Sequence, residues 1–222
     1  MVAEERLVAN DGKEVMLFPL PYLYISQGED GSYSHQGTLN IDFLGWDANG
    51  RVYNAPIYAP CTCTCVAVLT GSDNGRVFQS NDIVHRADGT LGIVTFMFYH
   101  DNNPIANVGD VFTQGDLIAH TGTAGNVTGD HVHFNTAYGV YSGFVNVPPN
   151  NWSELANSSH IYAACYVNDT VIVEGLNYNW ITFIPPIPPH RFKTNFPWVL
   201  YARKLRNRKI LKNYWKKLKI II

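Results

Sequence analysis

The chain has 222 residues, 46% of them hydrophobic, and a formal net charge of −2, which suits one core of moderate size with room for an appendage and gives no reason to expect a nucleic-acid partner. No apolar run is long enough to span a bilayer, and Met1-Val2-Ala3-Glu4-Glu5-Arg6 lacks the basic start and apolar core of a secretory signal. The small net charge hides a split: from Ile187 onward there are eleven Lys/Arg and no acids (+11), leaving five Lys/Arg against eighteen acids (−13) before it.

Taken in order, residues 1–30 read as an irregular lead-in, with Pro19 and Pro21 interrupting any regular element. Glu29-Asp30-Gly31-Ser32 is a turn, and His35 lies just beyond it. Leu39, Ile41 and Phe43 then alternate with Asn40 and Asp42, the pattern of a half-buried strand with a carboxylate on its polar side. Asp47-Ala48-Asn49-Gly50 is a turn, and Ala55-Pro56 opens a β-type run to Leu69. That run carries Cys61, Cys63 and Cys65, which with Cys165 lack zinc-type Cys-x-x-Cys spacing and read as small apolar strand residues.

Val77–His85 and Thr90–His100 read as hairpin strands joined at Ala87-Asp88-Gly89. The second is apolar on both faces from Leu91 to Tyr99, so it belongs in the middle of a sheet, and it ends in the polar loop His100–Pro104. A short strand follows around Gln114–Ala119, and the small-residue loop Gly122–Gly129 delivers the chain to Asp130-His131-Val132-His133-Phe134. In an extended strand His131 and His133 face one way while Val132 and Phe134 face the other. A Pro/Asn loop near Pro148–Trp152 and two or three short strands between Ile161 and Phe183 complete a mainly-β body with no internal repeat and no long helix. Pro185-Pro186-Ile187-Pro188-Pro189 is a stiff spacer, and Lys204–Lys219 reads as a basic helix.

Two imidazoles and one carboxylate with an open fourth position make a hydrolytic zinc site. His35, Asp42 and His133 supply that set; His131 and His100 are then free to accept a proton from water or to hydrogen-bond the oxyanion and leaving amine. His120, His160 and His190 are read as structural or solvated, and Asp47 as a turn residue.

Gln114-Gly115-Asp116-Leu117-Ile118, followed by Gly122-x-x-Gly125-x-x-x-Gly129-Asp130-His131-Val132-His133-Phe134, resembles the motif of the lysostaphin-type zinc endopeptidases, which cut peptide bonds in bacterial peptidoglycan. His35 and Asp42 resemble that family's first ligand pair, Ala55–Pro60 the segment after it, and Tyr99-His100 its strand-end histidine; the likeness covers roughly residues 30–145. The sequence departs from the family's commonest form in leaving six residues between His35 and Asp42, a spacing similar to phage tail-tip lysins, so a loop or bulge must bring His35 round. It departs again in placing Asn135, often acidic in relatives, after Phe134.

The resemblance implies a compact antiparallel β domain with a groove over residues 31–184 (core 31–145) and a Pro-rich spacer and basic tail over 185–222. It implies one Zn2+ per chain, held by His35, Asp42 and His133, with His131 and His100 catalytic. Tyr33 (or Tyr24 as the active-site tyrosine), Asn126, Thr128 and Asp130 would shape the substrate groove. The implied partner is a peptidoglycan peptide stem or cross-bridge, met from a virion or outside the cell. Residues 191–222 would reach anionic wall polymer, lipid or other virion proteins. The rival readings are a catalytically silent tail-tip component of the same fold and an amidase cutting the sugar–peptide bond.

Overall fold

In a computed structural model the described residues are 8–9, 11–20, 23–47, 49–166 and 172–173. The strands that matter to the site are β1 (Leu23–Gln27), β2 (Ile41–Phe43), β3 (Pro56–Tyr58), β4 (Cys63–Val68), β5 (Arg76–Ser80), β6 (Val94–Tyr99), β7 (Val111–Phe112), β8 (Leu117–His120), β9 (Val132–Tyr138), β10 (Phe144–Val147), β11 (Trp152–Leu155) and β12 (Ser158–Ser159). The main sheet runs β7-β4-β5-β6-β9-β2-β1, with every one of these neighbours antiparallel. Ile172–Val173 adds a parallel edge beside β1, and β12 pairs with β9. The described residues adopt the expected mainly-β architecture.

β6 is central, paired with β5 on one side and β9 on the other, as its two apolar faces predict. One face of the sheet packs on an aromatic core. Phe134 stacks on Phe98 at 5.1 Å between ring centroids, lies 5.8 Å from Phe43, and Phe18 meets Phe43 edge-on at 4.6 Å. The opposite face is closed by the β10–β11 hairpin, where Leu155 joins Val77, Met97 and Ala137 in a second, smaller cluster. All four cysteines are buried free thiols, and burial pushes the thiols of Cys61, Cys63, Cys65 and Cys165 up from the ordinary range.

Two expectations need correction. The segment read as an irregular lead-in carries β1, and Val15–Leu20 contribute Val15, Met16, Leu17, Phe18 and Leu20 to the main core. The two prolines break a helix but leave room for an extended strand after Pro21, with Ile25 fully buried. Residues 161–164 form one helical turn, α1, rather than a strand. The Pro-rich spacer and the basic segment 204–219 lie outside the described residues.

The register of the sheet is what aligns the site. Across four strands Gln27 lies opposite Asp42, Asp42 opposite His133, and His133 opposite Tyr99. Ile41 and Phe43 on β2, like Val132 and Phe134 on β9, point into the core and are fully buried, so the residues between them must face outward. Phe134→Ala is expected to cost about 3–5 kcal/mol, because the ring beneath His133 is fully buried and stacked. Denaturant unfolding checks this, and a loss below about 1 kcal/mol would contradict the packing described.

Candidate metal centre

Each candidate ligand reaches the site by a different route. Asp42 and His133 come from directly paired positions on β2 and β9. His35 comes from the turns between β1 and β2, where Gly37 at φ +79° reverses the chain and the His35 carbonyl accepts from the backbone N–H of Thr38 at 2.8 Å and from its hydroxyl at 3.0 Å. This is the loop that the long gap between His35 and Asp42 required.

The three ligand atoms form a tight triangle. His133 Nδ1 is 3.0 Å from Asp42 Oδ1, His35 Nε2 is 3.2 Å from His133 Nδ1, and His35 Nε2 is 3.3 Å from Asp42 Oδ1. Among the described residues this is the one set of three or more His, Cys, Asp or Glu side chains whose ligand atoms all lie within 4.8 Å of one another. The other ring nitrogen of His35 faces the Gly28 carbonyl at 3.2 Å; a carbonyl only accepts, so Nδ1 carries the proton and Nε2 turns its lone pair inward. Lone pairs crowded together this closely repel unless a proton or a cation sits among them. Zinc bonded to nitrogen and oxygen at about 2.0–2.1 Å in a tetrahedron puts its ligands about 3.3 Å apart, so the donor set fits zinc in both chemistry and spacing.

Asp42 shows the electrostatic consequence. Burial alone would raise its carboxyl, but hydrogen bonding with His133, and with His35 when that ring carries a second proton on Nε2, holds it well below the usual carboxylate range. Its second oxygen, Oδ2, accepts from Gln27 Nε2 at 3.1 Å. The same amide donates to Ser34 Oγ at 2.7 Å, and its carbonyl accepts from the Ser34 backbone at 2.9 Å. Gln27 thus ties the carboxylate to the loop that bears His35, the kind of outer contact that fixes a ligand's orientation.

The two other histidines lean over the triangle. The His131 and His100 rings lie 4.6 Å apart, and His131 Nε2 is 3.7 Å from Asp42 Oδ1. His131 Nδ1 donates to the Gly129 carbonyl and His100 Nδ1 to that of Ala124, both at 2.8 Å, so each leaves Nε2 as an acceptor. His100 sits at φ +81° where β6 ends, a left-handed backbone held by its N–H donating to the Asp73 carbonyl and its carbonyl accepting from Ala124. A side chain on Gly122 would collide with the His100 carbonyl oxygen, which explains the small residue at that point of the loop. Burial, with His131 and His133 adding to it, pushes His100 down to about 4, so the ring is neutral at pH 7.

Asp42, His133, His131 and His100 line a groove of about 940 Å³, with His35 buried behind them. The expected groove residues Tyr33, Asn126, Thr128 and Asp130 all line it, Tyr33 with 77% of its surface exposed. The Asp130 carboxylate, however, is taken up internally: it accepts from Thr121 Oγ1 and the Asn54 N–H, and Arg51 bonds the Asp130 carbonyl. It fixes the start of β9 more than it offers a substrate contact. Tyr24 is not in the lining; it stacks on Trp46 at 4.3 Å. His120 and His160 pair with Asp101 and Glu29 away from the triangle, while His190 lies outside the described residues. Sequence reasoning missed Gln27, Arg51, Asp73 and Trp152, which also face the groove. None of the four had a signal: period-two alternation would put Gln27 on the core face with Ile25, and only a shift of register between Ile25 and Gln27 turns its side chain to Asp42.

No family model matches the chain. It is 41% identical over 174 residues to "Morphogenesis protein 1" of Bacillus phage B103, covering 77% of this chain and 45% of that protein, so the chain spans less than half the length of the curated relative it matches. Among solved structures it is similar to the catalytic domain of the antimicrobial peptidase lysostaphin from Staphylococcus simulans (19% identity, 59% of this chain, 84% of that one, TM-score 0.39). It is also similar to a zinc-containing peptidase from Vibrio cholerae (18% identity, 59% and 42%, TM-score 0.39).

The neutral burial of His100 has a sign that can be worked out. Between about pH 4 and 6.5 the unfolded chain binds a proton that the folded ring refuses, so stability is full above this window and is lost as pH falls through it. For chelator-treated protein, His100→Gln is expected to remove on the order of 2 kcal/mol of the stability difference between pH 7 and pH 5. Urea unfolding at the two pH values reads it, and an unchanged slope contradicts it.

Proposed function

We propose that this protein is a zinc-dependent endopeptidase acting on peptide bonds of bacterial peptidoglycan, at a stem or cross-bridge, and that it works from a phage virion or at the host wall. The observation that carries the reading is the triangle of His35, Asp42 and His133 at 3.0–3.3 Å, open to a groove that two further histidines overlook. Zinc held by His35 Nε2, Asp42 Oδ1 and His133 Nδ1 would supply an acidified water and a Lewis acid for the scissile carbonyl.

The remaining chemistry belongs to the chain. His100, neutral at pH 7 with Nε2 unprotonated, is an acceptor for the proton of the attacking water. His131 presents the same kind of nitrogen closer to Asp42, and once protonated either ring can donate to the oxyanion or return the proton to the leaving amine. The Gly129 and Ala124 carbonyls hold the rings in one tautomer, so neither has to reorganise as the reaction proceeds. Tyr33, Asn126 and Thr128 on the groove wall are the proposed contacts for the peptide.

The name of the phage relative favours a second reading, a virion component that keeps the fold without turnover. Digestion of purified cell walls separates the two. Wild type should release new amino termini in a chelator-sensitive way, and His133→Ala should bind no zinc and release none. His131→Ala should keep zinc and lose about 10²–10⁴-fold in rate. Zinc binding without any wall digestion supports the silent component; new amino termini confined to the residue that had been joined to the lactyl group point to an amidase, and new sugar reducing ends to a glycosidic bond. The basic residues 191–222 are proposed to hold the domain at anionic wall polymer or lipid, so a chain ending at Pro185 should bind walls more weakly at low salt, with the difference fading as salt rises; equal binding in a sedimentation assay contradicts this.

A further inference from the structure

His35 is the ligand with least support from the sheet. It sits on a loop that leaves β1 after Gln27 and rejoins the ladder only at Ile41, so its position depends on what braces that loop. One brace is Gln27, already described. The other comes from a distant part of the chain, the β10–β11 hairpin. Glu154 Oε2 accepts from the Leu39 N–H at 2.8 Å, the Ser153 carbonyl accepts from Asn40 Nδ2 at 3.0 Å, and Asn150 Nδ2 donates to Gln36 Oε1. The backbone of Gly37 lies so close to the hairpin turn that a Cβ there would meet the Pro148 carbonyl oxygen at 2.7 Å. The hairpin is itself anchored to the ligand strand, since Leu155 N–H donates at 3.0 Å to Oδ1 of Asn135, two residues beyond His133.

The hairpin therefore touches both halves of the proposed site: the loop of His35 and the strand of His133. Of its contacts, Glu154 is the one made by a buried charged side chain to a backbone N–H. A charge-assisted bond of this kind is stronger than a neutral one, and it fixes Leu39 four residues after His35, where the chain turns into β2. Without it the His35 loop would sample positions in which Nε2 leaves the triangle, and metal binding would have to carry the entropy of ordering it.

We propose that Glu154 is a positioning residue for the metal centre, holding the His35 loop so that the three ligand atoms are set before the ion arrives. This rests on the zinc reading of His35, Asp42 and His133. The same contact explains how a spacing of six residues between His35 and Asp42 can give a rigid site, because the extra loop length is braced from outside the strand pair.

The test uses the full-length chain, stripped of metal, with zinc affinity read by competition with a chromophoric chelator and Co2+ used as a spectroscopic probe of ligand geometry. Glu154→Ala is expected to weaken zinc binding by about 10–100-fold and to broaden or shift the visible Co2+ bands. Glu154→Gln, whose amide oxygen still accepts from Leu39 but without the charge, should recover part of that loss. Val77→Ala, in the core cluster on the same face of the sheet, serves as a variant with a comparable drop in melting temperature and should keep wild-type affinity. Equal zinc affinity in Glu154→Ala and wild type, or an equal loss in Val77→Ala, overturns the proposal. If Glu154→Ala does not fold, Glu154→Asp, shorter by one methylene, carries the same expectations. The parent reading fails separately: wild type that binds no zinc removes it whatever Glu154 does, and wild type that binds zinc without cutting walls leaves the positioning role intact.

Discussion

Everything in this structure that bears on function follows from one cross-strand pairing, Asp42 on β2 opposite His133 on β9. Side chains in a ladder alternate faces, so a slip of one residue would send Asp42 or His133 into the aromatic core and bring Phe43 or Phe134 to the surface. The buried rings of Phe43, Phe134 and Phe98 therefore specify the register, and the register sets the two ligands side by side. The site is held by hydrophobic packing on the far side of the sheet. Placing a carboxylate beside imidazoles in a nearly dry setting is costly, and the hydrogen bonding that keeps Asp42 ionised meets that cost in the absence of an ion.

Around this pair the chain adds elements that do not share the sheet's geometry. His35 comes in on a turn, and His100 on a left-handed residue just past β6. His131 stands where the small-residue loop joins β9. The two overlooking rings are each fixed at Nδ1 by a backbone carbonyl, which leaves both Nε2 atoms as acceptors above the triangle. The division of labour is consistent: strands fix what must be rigid, and loops carry what must approach from above. His35, farthest from the ladder, is braced from two sides, by Gln27 and by the hairpin.

The sheet and two corners of the triangle, Asp42 and His133, could be read from the sequence because they rest on local period-two alternation, whereas His35 was marked only by its turn and its likeness to a ligand motif. Leu39–Phe43 and His131–Phe134 announced their apolar and polar faces, and Leu91–Tyr99 its central place from Val94 onward, while Leu91–Gly92 pair instead with Val84–His85 and leave Leu91 exposed. What could not be read depends on distant contacts. Gln27 was hidden because two prolines nearby made its segment look irregular, and because a register shift after Ile25 turns it to the face that alternation would deny it. Glu154 and Trp152 had no local mark, since their importance comes from a hairpin folding back on a loop more than a hundred residues earlier. Asp130 was visible as a groove residue, but its capture by Thr121 and Asn54 is a tertiary fact. The cysteines pack as the small apolar residues their spacing suggested: all four are buried and free, and burial raises their thiols.

The central claim is that two imidazoles and one carboxylate, brought from three separate segments, hold one divalent ion. Zinc K-edge absorption on the metal-loaded full chain tests it most directly. The account predicts one zinc per chain in a four-coordinate shell of nitrogen and oxygen at about 2.0–2.1 Å, with the outer scattering of two histidine rings. A shell containing sulfur at about 2.3 Å, or one unchanged when His35 and His133 are both replaced by alanine, would contradict it.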